Sequence, residues 1–132
     1  QLQAETPDKR TAVRYYASLR DFFKAAAHVW GEAWGNTDFM VTKPVTIKAL
    51  IRVWGDLLAA SSDLTEEERI SRWQERLQPW SEQVREFRNE GFYERFPAKG
   101  QVERVARIHR DLARAIGLNP RANARAERKQ AA

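Results

Sequence analysis

Large apolar residues recur at three- and four-residue steps along most of this chain, and that spacing constrains its fold more than any other feature. Tyr15, Tyr16, Leu19, Phe22, Phe23, Ala26, Val29, Trp30, Ala33 and Trp34 follow the i, i+3, i+4, i+7 recurrence of an amphipathic helix. Arg14, Arg20, Asp21 and Lys24 fall largely on its other side. Thr6 and Pro7 supply the expected start, a hydroxyl cap followed by a proline in the first helical turn. Gly31 weakens the last turn, and Gly35-Asn36 is the expected stop.

The same spacing continues downstream. Asp38 to Pro44 is predicted to be a short extended segment, because a residue preceding proline is biased away from helical angles. A helix beginning near Pro44 or Thr46 should present Ile47, Leu50, Ile51, Trp54, Leu57 and Leu58 on one face and end at Ser61-Ser62-Asp63. Thr65-Glu66-Glu67-Glu68 has the form of a capping box, with the Thr65 hydroxyl and the Glu68 carboxylate each satisfying the other residue's free amide. Ile70, Trp73, Leu77, Trp80, Val84 and Phe87 then run across Pro79. Proline removes a helical hydrogen bond, so a break is expected there, with Pro79 in the first turn of the second piece and Gly91 closing it. Phe92 to Pro97 is an aromatic connector, expected to pack as a turn or short helix. A last helix should run from Gln101 to Ile116, stopped by Gly117 and then by Asn119-Pro120.

The predicted fold is therefore all-α, a compact bundle of about five helices with one short extended segment and a basic C-terminal tail. Residues 7–60 form a first helical pair in this reading, 65–90 a second pair or one kinked helix, and 101–117 a closing helix. The domain spans 1–118. Residues 119–132 carry no apolar side chain larger than alanine after Pro120 and are expected to be disordered. At 132 residues with no cysteine, the chain suits one domain held by a hydrophobic core rather than by disulfides. No apolar run approaches the roughly 18 residues that a membrane span needs, and the expected compartment is the cytoplasm.

Charge is distributed unevenly. The net charge is +5, yet residues 1–98 hold 14 Lys and Arg against 15 Asp and Glu, while residues 99–132 hold nine against three. Successive helical residues turn by about 100°, which places Val105, Ile108, Leu112 and Ile116 on one side of the last helix. Arg107, Arg110 and Arg114 fall opposite them, with Arg104 on the flank. This stripe continues into Arg121, Arg125, Arg128 and Lys129, and guanidinium groups pair well with phosphate oxygens. A solvated helix face followed by a disordered end would look the same in sequence. Without a helix-turn-helix, zinc-finger or RNP signature, any nucleic-acid binding should be insensitive to sequence and sensitive to salt.

Catalytic motifs are sparse. His28 and His109 are far apart and lack a metal-ligand spacing, and Glu66, Glu67 and Glu68 point in different directions on a helix. No phosphate loop, dinucleotide fingerprint or nucleophile elbow occurs. No catalytic residue, metal or cofactor is therefore expected. The five tryptophans suit a core of large rings, with Trp34, beside Gly35 at a helix end, the one most expected at the surface.

Tyr15-Tyr16 through Phe22-Phe23 and Trp30 to Trp34, then Phe39-Met40-Val41-Thr42-Lys43 leading to Ile47-Lys48-Ala49-Leu50, and later Glu90-Gly91-Phe92-Tyr93, form a pattern that resembles the helical C-terminal part of DGQHR-domain proteins. That family is related to the DndB regulators of DNA phosphorothioate modification. The resemblance covers about residues 13 to 96. The Asp-Gly-Gln-His-Arg signature itself is absent, so no signature residue is carried over. The resemblance implies a setting in DNA modification or defence.

Two functions follow as expectations. The first is a DNA-associated accessory or regulatory module that contacts phosphates through Arg104, Arg107, Arg110, Arg114, Arg121, Arg125, Arg128 and Lys129. The alternative is a protein-interaction or oligomerisation module whose interface uses Trp34, Phe92, Tyr93 and Phe96, with a protein partner or a second copy of the chain. No membrane partner is expected in either case.

Overall fold

A computed structural model describes residues 7–119 and contains, among them, six α-helices and no β-strand. They are α1 (Pro7–Trp30), α2 (Pro44–Ala60), α3 (Glu66–Arg76), α4 (Trp80–Gln83), α5 (Phe92–Arg95) and α6 (Gln101–Ala115). Short 3₁₀ turns follow α1 at Gly31–Ala33 and α4 at Val84–Phe87. Most of the expected tail, 120–132, lies outside the described residues.

The helix ends follow local chemistry. Proline occupies the first turn of α2, and the capping box of α3 is complete: the Glu68 amide donates to Thr65 Oγ1, and the Thr65 amide donates to Glu68 Oε1 at 3.1 Å. The backbone hydrogen bond from Thr65, then that from its hydroxyl, holds the Glu68 carboxyl below its ordinary range. The cap's charged form therefore contributes at neutral pH and is lost only as pH falls through that lowered value. α6 closes in a Schellman motif, with Leu118 N–H donating to Ala113 O at 2.9 Å and Gly117 N–H to Arg114 O at 3.0 Å. Gly117 sits at φ +75, a left-handed angle that a side chain would strain.

Three local expectations need correction. α1 stops at Trp30 rather than at Gly35, because Gly31 adopts φ +55 and turns the chain. The extended segment before α2 is a run of turns with a single antiparallel bridge, Phe39 to Arg88, in which Met40 N–H donates to Phe87 O. The piece after Pro79 is one α-helical turn and a 3₁₀ turn that ends at Phe87, before Gly91.

Neighbours in sequence are not the main partners in space. The principal pairings are α1 with α3 and α2 with α6, while α1 touches α2 and α4 more lightly. Each principal pairing contains a contact to a buried carboxylate. In the first, Arg69 of α3 donates from Nε and Nη2 to Asp21 Oδ2 at 3.2 and 2.9 Å. In the second, His109 of α6 donates from Nε2 to Asp56 Oδ2 of α2 at 2.6 Å. Asp21 was expected at the surface of α1 and is instead buried, because α3 brings a guanidinium to it. The buried face of α2 is likewise rotated from the expected one: Val45, Ala49, Leu50, Val53, Asp56 and Leu57 point inward, and Ile51 is exposed.

The core is a stack of rings. Trp30 and Trp80 lie parallel with centroids 5.2 Å apart, and Phe22 meets Trp80 and Trp73 edge-on. Buried indole N–H groups need acceptors, and each has one. Trp30 donates to Trp80 O, Trp80 to Leu112 O, Trp73 to Ser61 Oγ, and the half-buried Trp54 to Ser18 Oγ. Phe87, Phe92 and Phe96 extend the stack toward α6.

Candidate nucleic-acid interface

The packing of α2 on α6 determines which side of α6 meets solvent. Val105, Ile108, His109, Leu112, Ala113 and Ile116 face the core, leaving the stripe of Arg107, Arg110, Asp111 and Arg114 on the outside. Arg107 and Arg114 are exposed, and Arg110 is half-buried. None of the three forms an ion pair with a described residue, and Arg110 Nε is buried without an acceptor.

Other arginines are committed to the fold. Arg104 donates from Nε to Phe96 O at 2.9 Å and lies over the Tyr93 ring, so its guanidinium closes the α5 connector instead of extending the free stripe. Arg76 donates to Ile116 O at 2.8 Å and secures the end of α6. Arg121, Arg125, Arg128 and Lys129 lie outside the described residues.

Tertiary structure adds one cation that sequence reasoning did not select. Arg95 at the end of α5 donates from Nη2 to Asp111 Oδ1 and from Nε to Glu86 Oε1, both at 2.7 Å. Burial weakens the protonated form, but the hydrogen bond and charge of Asp111, with those of Glu86, outweigh it and raise the Arg95 pKa above its ordinary value. Gln83 fixes the other Asp111 oxygen through Nε2 at 3.1 Å. Arg95, Phe96, Arg107, Arg110, Asp111 and Arg114 thus surround a depression of about 170 Å³. Arg95 carried no sequence signal for this role, since it sits in an aromatic connector twelve residues before Arg107.

The candidate protein-interaction residues separate. Phe92 and Phe96 are fully buried against Phe87, which removes them from any interface. Tyr93 remains 56 % exposed. Trp34 is half-buried, stacked on Trp30 and tilted against Phe23. It helps line a shallow groove of about 410 Å³ with Tyr16, Leu19, Phe23 and Ala27, edged by Arg20 and Lys24.

His28 is exposed, whereas His109 is engaged with Asp56 in the core. Among the described residues, no three His, Cys, Asp or Glu side chains stand close enough to hold a metal ion, and no helix is long and apolar enough to cross a membrane. No protein-family model, curated protein or solved structure matches the chain.

Proposed function

We propose that this domain is a DNA-associated accessory or regulatory module of the cytoplasm that holds the phosphate backbone through the outer face of α6. The observation that carries this reading is the contrast among arginines. Arg69, Arg76, Arg95 and Arg104 are tied to carboxylates or carbonyls, whereas Arg107, Arg110 and Arg114 form one stripe with no such partner among the described residues. Unpaired guanidinium groups on a rigid helix exchange condensed counterions for phosphate contacts without first breaking an internal ion pair. In this reading the basic residues 121, 125, 128 and 129 extend the contact along the same strand, and the protein binds without catalysing a reaction.

Titration of a labelled duplex at two salt concentrations tests it. If all three arginines contact phosphates, replacing them with alanine should flatten the salt slope by about 2.7, so that a fourfold rise in salt costs the variant roughly 40-fold less affinity than the native chain. Absence of binding at low salt, or the same slope in both proteins, overturns the proposal.

Self-association is a second reading, favoured by the groove on α1. Its apolar floor carries a cationic edge at Arg20 and Lys24, complementary to the exposed acidic turn of Glu66 and Glu67 on a second copy. It predicts a concentration-dependent dimer in sedimentation velocity, weakened several-fold by Trp34→Ala. A monomer at every concentration excludes it.

A further inference from the structure

The depression beside α6 differs from an open basic stripe in shape and in charge. Arg95, Arg107, Arg110 and Arg114 line it together with Phe96 and Asp111. With Glu86 also bound to Arg95, four cations face two carboxylates and leave an excess of two positive charges. Arg95 is held rigidly by both acids and by its position 4.9 Å over the Phe96 ring, and neither bond uses its Nη1 donors. Arg110 also lines the depression, and its Nε is buried without a hydrogen-bond partner.

A volume of about 170 Å³ is below the roughly 300–1,000 Å³ of ordinary small-molecule sites, which suits a single anionic group rather than a whole nucleotide. The excess of two charges matches a phosphate monoester, which carries close to two negative charges at neutral pH. Geometry favours the same group. A monoester projects from its carrier with three free oxygens and can enter a concave site, whereas a diester within a strand must keep a sugar on each side outside it.

We infer that this depression is a binding site for one phosphate dianion, supplied either as the monoester at the phosphorylated end of a nucleic-acid strand or as free inorganic phosphate. The inference deepens the phosphate reading of α6 and rests on it, since Arg107, Arg110 and Arg114 serve both.

The test compares a short duplex carrying 5′-phosphates with the same duplex lacking them, using the full chain, alongside an NMR titration with inorganic phosphate. Charged hydrogen bonds of this kind correspond to about tenfold in affinity, so the phosphorylated duplex should bind about tenfold more tightly. Arg95→Lys keeps the charge but loses the free Nη1 donors of the depression, and should erase that preference while changing affinity for the unphosphorylated duplex, which the outer stripe holds, less than twofold. Equal affinity of the native chain for both duplexes overturns the terminal-phosphate site yet leaves the backbone reading standing. If neither duplex binds while inorganic phosphate shifts the amide signals of Arg110 and Arg114, the backbone reading falls and the site takes free phosphate. No response to either duplex or to phosphate overturns both.

Discussion

Trp80→Ala is expected to lower the unfolding free energy by about 4 kcal/mol, within the usual range for removing a fully buried tryptophan. Trp80 has no exposed surface, stacks on Trp30, meets Phe22 edge-on and donates its indole N–H to Leu112 O. It therefore connects α1, α4 and α6 in one contact. A domain of this size has about 5–15 kcal/mol of stability in total, so the loss should bring the urea midpoint down sharply. Trp80→Phe keeps an aromatic ring but loses the indole donor and part of the stack, and should cost about half as much. The ring meets the inner face of α6 at Leu112 while the arginine stripe lies on the outer face, so the folded fraction of either variant should keep the duplex affinity of the native chain. A loss below 1 kcal/mol for the alanine variant would contradict the central place given to this ring.

The second large effect is expected at the Asp56–His109 pair, whose side chains are only 3 % and 4 % exposed. Asp56→Ala removes the acceptor of His109 Nε2 inside the α2–α6 contact and should cost about 1–3 kcal/mol, the usual penalty for leaving a buried donor unsatisfied. Replacing both residues with leucine should recover most of that loss, because exchanging both partners of a buried hydrogen bond for apolar packing is often nearly neutral. A double-mutant cycle by urea denaturation measures the coupling. Additive single-variant effects would show that the two side chains do not act as a unit. The pair also bears on the proposed phosphate contact, since it ties the inner face of α6 to α2 while Arg107, Arg110 and Arg114 lie on the outer face.

Much of this architecture was legible in the chain, and the reason is local. Pro7, Pro44 and Pro79, the Thr65–Glu68 box and Gly117 act within four or five residues of themselves, so the structure has the corresponding helix starts, the break and the Schellman stop. The apolar side of α6 was read correctly because Val105, Ile108, Leu112 and Ile116 form a pattern with a single solution. α2 was less clear: both of its sides carry apolar residues, and only the docking of α6, with His109 on Asp56, left Ile51 in solvent.

The candidate site residues divide in the same way. Arg107, Arg110 and Arg114 were identifiable because their shared face is set by helical geometry alone. Arg104 sits on the same helix with the same chemistry, yet the α5 connector supplies Phe96 O and the Tyr93 ring and takes it out of the free stripe. Arg95 shows the reverse, an arginine with no pattern of its own that the connector carries into the depression. Phe92 and Phe96 resembled an exposed aromatic patch until Phe87 covered them.

By itself, then, the sequence determined an all-α chain, most helix termini and a basic outer stripe on the last helix, all consequences of backbone geometry and short-range capping. Only the tertiary structure decided that α1 pairs with α3 and α2 with α6, that Asp21 and Asp56 are interior, and that Arg95 closes a depression beside α6. Those outcomes depend on which groups from distant segments meet, and burying a charge requires a partner that no local pattern names.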